Sequence, residues 1–454
     1  MEFGFPELAA IRLGFGLSPH MEPPADADAI LASVAVAGPG PEATSTQDAR
    51  DSAQKLAELG KARVEGGEAE ARARVEFARQ LRDSRWFGLA HRIARAVDAP
   101  SGFGERLVQF WSDHFTVRAD GAGAQRLALA FVDEAIRPHL NGRFEDLLFA
   151  ADTHPMMLLY LDQHVSVGPN SRMARQNEAR GLNENLAREI LELHTLGVGA
   201  DYSQADVRQL AKLLTGLTYN TRNDVTFRPG MAEPGAETVL GQSYGGDHQA
   251  NIDDIRAVMV DIARHPATAR HVSRKLAVHF VSDDPDDGLV AAMVAAWRRS
   301  DGHLPQVCHA MITHPALADG FRQKARQPFD YLAACLRGLG MRGDELRALQ
   351  RPEINRFLYL PLGQMGQKWG EPAGPNGWPE EVGAWITPQL LAARISWATR
   401  VPAHLFDPLP DPRELMRATL RGSRSEALAR AVPRAESARE GVALVLASTD
   451  FNRR

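Results

Sequence analysis

Cysteine is almost missing: Cys308 and Cys335 are the only two in the chain. Two distant thiols in apolar surroundings form neither a CxxC pair nor a disulfide framework. Zinc held mainly by thiolates is thereby excluded, and both thiols are expected to be buried and free. Apolar runs of the roughly 18 residues needed to span a bilayer are missing as well. The opening stretch MEFGFPELAAIRLGFG has no basic segment followed by a long apolar one, so it does not read as a signal peptide. As given, the chain reads as soluble and cytoplasmic; export would require a leader already removed. An excess of positive charge is also lacking, with 52 Lys and Arg against 57 Asp and Glu and a net charge of -5. Nucleic acid is not an expected partner, because its binders carry a basic face. Finally, there is no P-loop, Rossmann fingerprint or H-E-x-x-H. The run Gly241-Gln242-Ser243-Tyr244-Gly245 has the spacing of a nucleophile elbow but not its strand-to-helix setting. Dinucleotide enzymes and α/β hydrolases are disfavoured.

What remains is ordinary globular protein, 44% hydrophobic and 24% charged. A chain of 454 residues exceeds one ordinary core. We expect one helical unit over 1–454, or two packed subdomains: 1–217 with the central polar helix and 251–454, with a small β insertion at 218–250. Apolar spacing of three and four predicts an all-α, multi-helix bundle. A short helix is expected near Pro6–Phe15, a soft stretch with one helical run at Pro23–Thr46, and one or two long amphipathic helices over Ala49–Val97. Further helices cover Gly104–Leu161, Asn251–Leu339 and Pro388–Phe451. Three His-Pro pairs, at His154, His265 and His314, place proline at a first helical position and histidine at the cap.

Two segments break the helical pattern. Between Thr218 and Gly246, alternating residues around Asn223-Asp224 predict a small hairpin, with Glu237–Leu240 as a further strand. Leu360–Trp385 is a long Gly/Pro-rich loop holding Trp369, Trp378 and Trp385. Loops of that length in compact proteins are usually functional or disordered, and the tryptophans argue for order. They are expected to anchor the loop rather than to stack on sugars.

The densest polar segment is Asn183–Val198, NENLAREILELHTLGV. On a helix, Glu184, Arg188 and Glu192 share one stripe, and Asn185 and Glu189 the next. Asn183 and His194 fall on the apolar face. The segment is either an ion ladder along a solvated face or a site, since carboxylates and imidazole are ligands for Zn, Mn, Fe or Ni. The second constellation is Phe110-Trp111-Ser112-Asp113-His114-Phe115, where a charged Asp113 among aromatics needs a partner, Arg188 being one candidate. Neighbouring helical residues point about 100° apart, so Asp113 does not orient His114 directly. Asp162, closing the apolar run MLLYLD, is expected to cap, pair or ligate, capping being the commonest use.

These pieces, in this order, resemble one bacterial family: FWSDHF at Phe110–Phe115, MLLYLD at Met157–Asp162 and the central segment with its continuation YSQADVRQLAKLLTGLTY. GQMGQKWGEPAGPNGWP at Gly363–Pro379 and the closing LASTDFNRR fit as well. The family is catalogued as domain of unknown function 1800. The resemblance implies a mostly helical fold and no established activity, so no catalytic residue is carried over. It also implies that relatives are often exported and lie beside genes for a phosphatase- or sulfatase-like protein. It adds weight to a shared site at Asp113, His114, Asp162 and the central helix.

Two functions follow as expectations. One is an acid/base enzyme or binder of a divalent transition metal. Its catalytic candidates are Asp113, His114, Glu184, Arg188, Glu189 and His194, and its metal candidates are His114, Glu184, Glu189 and His194. Trp111, Asp162, Asn183, Asn185, Glu192, Trp369, Asn376 and Trp378 would line the pocket. The other is a non-catalytic partner or scaffold for the phosphatase-like neighbour, with the polar cluster as a buried ion network.

Overall fold

Capping chemistry sets the helix boundaries. Ser45, Ser203, Asn251 and Asp286 each accept a backbone N–H from the first turn of the helix they open. The His-Pro pairs do the same with imidazole. Nδ1 of His154 accepts from the N–H of Met156 at 3.0 Å, and those of His265 and His314 accept from Ala267 and Ala316 at 3.2 Å. The following proline has no N–H to leave unpaired, so histidine and proline together open the helix.

The computed structural model describes residues 3–176, 181–222, 226–246 and 248–454. It is mainly α-helical. After Phe5–Arg12 and Ala27–Ala35, the charged stretch folds as two long helices, Thr46–Gly66 and Glu68–Asp98. Phe103–His114 follows, then Ala122–Ala130, which runs on into a π-helical turn at Phe131–Ile136. Among the described residues no helix is long and apolar enough to cross a membrane. Cys308 and Cys335 are buried and free, and burial pushes the Cys308 thiol up to about 12.

The β excursion is a hairpin of β1 (Gly235–Val239) and β2 (Gln242–Gly246), antiparallel, with Val239 opposite Gln242. Its two turn residues, Leu240 and Gly241, have φ of 50° and 79°, as a tight two-residue hairpin requires. Gly241 and Ser243 of the elbow-like run therefore lie in a hairpin and serve no nucleophile. The expected turn at Asn223-Asp224 lies outside the described residues, although its flanks do meet: Leu217 bridges Phe227 and the Thr218 N–H reaches Thr226 O at 2.9 Å.

Buried apolar side chains form two large clusters. One runs from Ala9 to Leu317 and contains Trp111, Phe115, Phe144, Leu186 and Ile190. The other joins Leu89–Val97 of the long helix to segments between Phe329 and Phe451. The Phe103–His114 helix packs into the first cluster and is drawn tight against Ala27–Ala35 at Gly104. A Cβ there would stand 2.3 Å from the Ser33 carbonyl oxygen, while the Gly104 N–H bonds Ser33 Oγ at 3.1 Å. Gly104→Val should therefore cost about 1–3 kcal/mol through forced helix separation. Urea unfolding checks this, and an unchanged midpoint would show that the two helices can move apart freely.

Candidate active site

The central segment supplies less of the site than its composition promises. It folds as a helix at Asn185–Glu189, widens into a π-helical turn at Ile190–His194, and stops before Gly197, whose φ is 98°. Asn183 secures its start, giving Nδ2–H to Leu161 O and taking the Asn185 N–H, both at 2.9 Å. Glu184 and Arg188 face one another at 3.7 Å with side chains 30% and 43% exposed. Gln204 bridges them, donating to Glu184 at 2.7 Å and accepting from Arg188 at 3.1 Å. The expected burial of Glu184, Arg188 and Glu192 inside the bundle is thus corrected to a half-solvated face. Leu186, Ile190 and Leu191 take the buried side, because an ion ladder keeps part of its hydration there. Glu192 drops out of the ladder, since the π turn inserts an extra residue and rotates it off the stripe.

Several other expected site residues stand apart. Arg188 does not serve Asp113. Asn185 and Asn376 are exposed, and Glu189 is half-buried, its carboxyl raised by desolvation. Asp162 is exposed with φ of 56° and makes no side-chain cap. Its place is explained by the tolerance of Asp for left-handed backbone rather than by capping. Trp111 is buried against Phe110, His114, Phe115 and Phe144, away from any cleft.

His114 and His194 do come together, with ring centroids 6.0 Å apart in an aromatic cage. His114 Nε2 lies 3.1 Å from the His194 carbonyl oxygen. A carbonyl only accepts, so Nε2 carries the proton, and Nδ1 is left buried without a partner among the described residues. Burial, then the charges of Lys275, His194 and His271, hold the His114 imidazole well below its ordinary value. Behind it, His194 Nδ1 stands 2.9 Å from Oδ1 of Asp152, a fully buried carboxylate, without the alignment of a hydrogen bond. Among the described residues no three His, Cys, Asp or Glu side chains are grouped so as to hold a metal ion.

Asp113, one residue before His114, points to a different side of the helix, about 100° round, as helical geometry requires. It lines a cavity of about 160 Å³ at the seam between the two apolar clusters. The walls are Gln109, Ser112 and Thr116 beside it, the π turn at Phe131-Val132, Phe329, and Trp369 and Trp378 from the long loop. The expected loop is real and runs between Leu360–Gln364 and the short helix Val382–Trp385. Trp385 is its anchor, buried, with Nε1–H on Pro379 O at 2.8 Å. Trp369 stacks on Phe329 at 5.6 Å. The Trp378 N–H reaches both Asp113 oxygens, at 3.0 and 3.1 Å. Gly377 makes that approach possible: its φ is 76°, and a Cβ would sit 2.7 Å from the Asp113 carboxyl carbon.

The electrostatics set Asp113 apart from its neighbours. Burial pushes its carboxyl up to about 7; the Trp378 N–H pulls it down, Glu380 raises it and Lys275 lowers it. Burial raises Glu380 too, but His279, Lys324 and Arg106 outweigh that and hold it below the usual range. Arg106 can only donate, so its 2.8 Å contact makes His279 Nε2 the acceptor, and Nδ1–H goes to Glu380 at 2.6 Å. Asp330 is likewise committed, to Arg454 at 3.0 Å and Arg106 at 3.5 Å. Of the residues that line this cavity, sequence reasoning named Asp113, Trp369 and Trp378 but not Arg92, His279 or Asp330, and it did not name Lys275, Glu380 or Asp152 around it. Glu380 directly follows the Gly363–Pro379 run that carries the family resemblance, which was its only signal.

The chain belongs to the DUF1800 family of proteins of unknown function, whose family model matches residues 9–453. No curated protein and no solved structure matches it. The site must therefore be read from its own chemistry, beginning with the protonation of Asp113. In the folded chain this carboxyl keeps its proton up to about pH 7, whereas unfolded it ionises near the ordinary value of 3.8. The folded state binds more protons across that window, so stability falls as pH rises through it. Asp113→Asn should flatten this slope and gain on the wild type from about pH 4 to 7, each unit being worth about 1.4 kcal/mol. Urea titrations at both ends of the window test it, and parallel slopes would mean Asp113 is ionised throughout.

Proposed function

We propose that the protein is an acid/base enzyme that works on a small, ring-bearing molecule in the cleft at Asp113. The observation that carries this is a carboxyl with its pKa pushed to about 7 on the wall of a cavity. Such a group donates and accepts a proton with equal ease at neutral pH, which is the requirement for general acid/base catalysis. Its orientation is held by a backbone N–H, so proton transfer needs no rotamer search. Perturbed carboxyls of this kind also occur in purely structural networks, but those are closed by partners. Here Glu380 and Asp330 are closed, and Asp113 has one N–H donor and an open side.

The rest of the cleft supports a ring as the bound part. Trp369, Trp378 and Phe329 give flat apolar faces, and the amide of Gln109 and hydroxyls of Ser112 and Thr116 give directional contacts. The buried pair His114 and His194 acts from behind, keying the Phe103–His114 helix to the central segment through the 3.1 Å contact. That is a positioning role.

Turnover of a panel of aryl glycosides, aryl esters and cyclic hydroxy acids should be compared between the wild type and Asp113→Asn. A substrate of this enzyme should lose about 10²–10⁴-fold in kcat with little change in KM. Its wild-type pH–rate profile should carry a limb near 7 that the variant lacks. A variant that turns over at the wild-type rate, or a profile flat through neutrality, refutes the assignment.

A further inference from the structure

Arg92 is a cation on the wall of this cleft with no carboxylate within ion-pair reach among the described residues. It projects from the Glu68–Asp98 helix, is half-buried, and lines the cavity that Asp113 faces. Its hydrogen bonds come from Nη2 alone and go to neutral atoms, Gln109 Oε1 at 3.0 Å and Ser112 Oγ at 3.3 Å. Nε and Nη1 have no partner among the described residues, and no carboxylate there lies within ion-pair reach.

The arginines around it are different. Arg95 and Arg137 each hold Glu105 at 2.8 Å, Arg137 also holds Asp133 at 3.2 Å, and Arg85 holds Glu371 at 3.0 Å. The acids that could have reached Arg92 are thereby spent. Burial, and then Arg137, push the Arg92 guanidinium down to about 9, while Glu105 and Asp133 pull it the other way from beyond ion-pair reach. Arg337, buried in the packed interior, is by contrast held by the carbonyls of Gly16, Val97, Ala99 and Pro100. Arg92 has free donors and a cavity instead, and the Trp369 ring lies 5.8 Å from its guanidinium.

We infer that Arg92 is an oxyanion-binding subsite, so that the molecule taken by this cleft is a ring carrying a carboxylate, phosphate or sulfate group. The guanidinium fork matches two oxygens of such a group, and the ring then lies along Trp369 toward Asp113. The inference rests on reading the cleft as the ligand site. It adds a linkage: an anion seated at Arg92 makes ionisation of nearby Asp113 harder, so binding should raise the Asp113 pKa.

Isothermal titration calorimetry with benzoate, phenyl phosphate and phenyl sulfate tests the idea, with benzamide and benzyl alcohol as neutral counterparts and inorganic phosphate as the bare anion. At least one aryl anion should bind tenfold or more tighter than its neutral counterpart, and which one wins names the group. Arg92→Gln should erase that difference without moving the neutral affinity, and Arg92→Lys should restore part of it. Circular dichroism and the melting temperature confirm that both variants fold. Anions that bind no better than neutral rings, or bind equally well to Arg92→Gln, overturn the inference. Asp113→Asn separates the two claims. Arg92-dependent binding with no Asp113-dependent turnover leaves this subsite standing and sinks the enzyme, whereas turnover indifferent to Arg92→Gln does the reverse.

Discussion

The Trp378 backbone N–H meets both oxygens of the Asp113 carboxyl, and this contact ties the long loop to the Phe103–His114 helix across the seam between the two apolar clusters. Everything distinctive about the cleft depends on it. The loop brings Trp369, Trp378 and Glu380 to the helix, and Gly377 lets the backbone come close enough to bond. In return the loop covers Asp113 and removes it from water. A single N–H offsets only part of the desolvation, so the carboxyl is left balanced between its two protonation states.

The surrounding charges show why that balance falls on Asp113 alone. Glu380 is flanked by His279 and Lys324, and Asp330 by Arg106 and Arg454. Each of these carboxylates has its charge compensated inside the protein, and removing either partner would leave an uncompensated charge. Asp113 feels Lys275 only at a distance and Glu380 against it. On the other wall the same accounting leaves Arg92 without a carboxylate in ion-pair reach among the described residues. One acid and one anion-binding cation are thus left facing the cavity with a single N–H donor or neutral partners, and the proposed function places its chemistry on them.

The legible parts of the molecule were those in which a residue acts on its own neighbourhood. Caps at Ser45, Ser203 and Asn251 and the three His-Pro openings depend on atoms a few residues apart. The divergence of Asp113 and His114 follows from helical geometry, and the order of the 360–385 loop from its tryptophans. The ladder at Glu184 and Arg188 was also legible as a solvated face. Placing it inside the bundle failed because composition does not say how much water a charged stripe keeps. The π turn at Ile190–His194, which turns Glu192 away, had no local signal either.

By itself, then, the amino-acid sequence determined an α-helical chain with a small β excursion, membership of one family, helix ends, free buried thiols, and a short list of polar residues that included Asp113. Periodicity, capping and cysteine count are short-range properties, and short-range physics decides them. Only the tertiary structure decided that Asp113 meets Trp378, that His279 meets Glu380 beside the cleft, and that Arg92 has no carboxylate in ion-pair reach among the described residues. Those residues are separated by up to hundreds of positions. Whether a charge is paired, buried or free is a property of the space around it, and that space exists only once the two cores have packed.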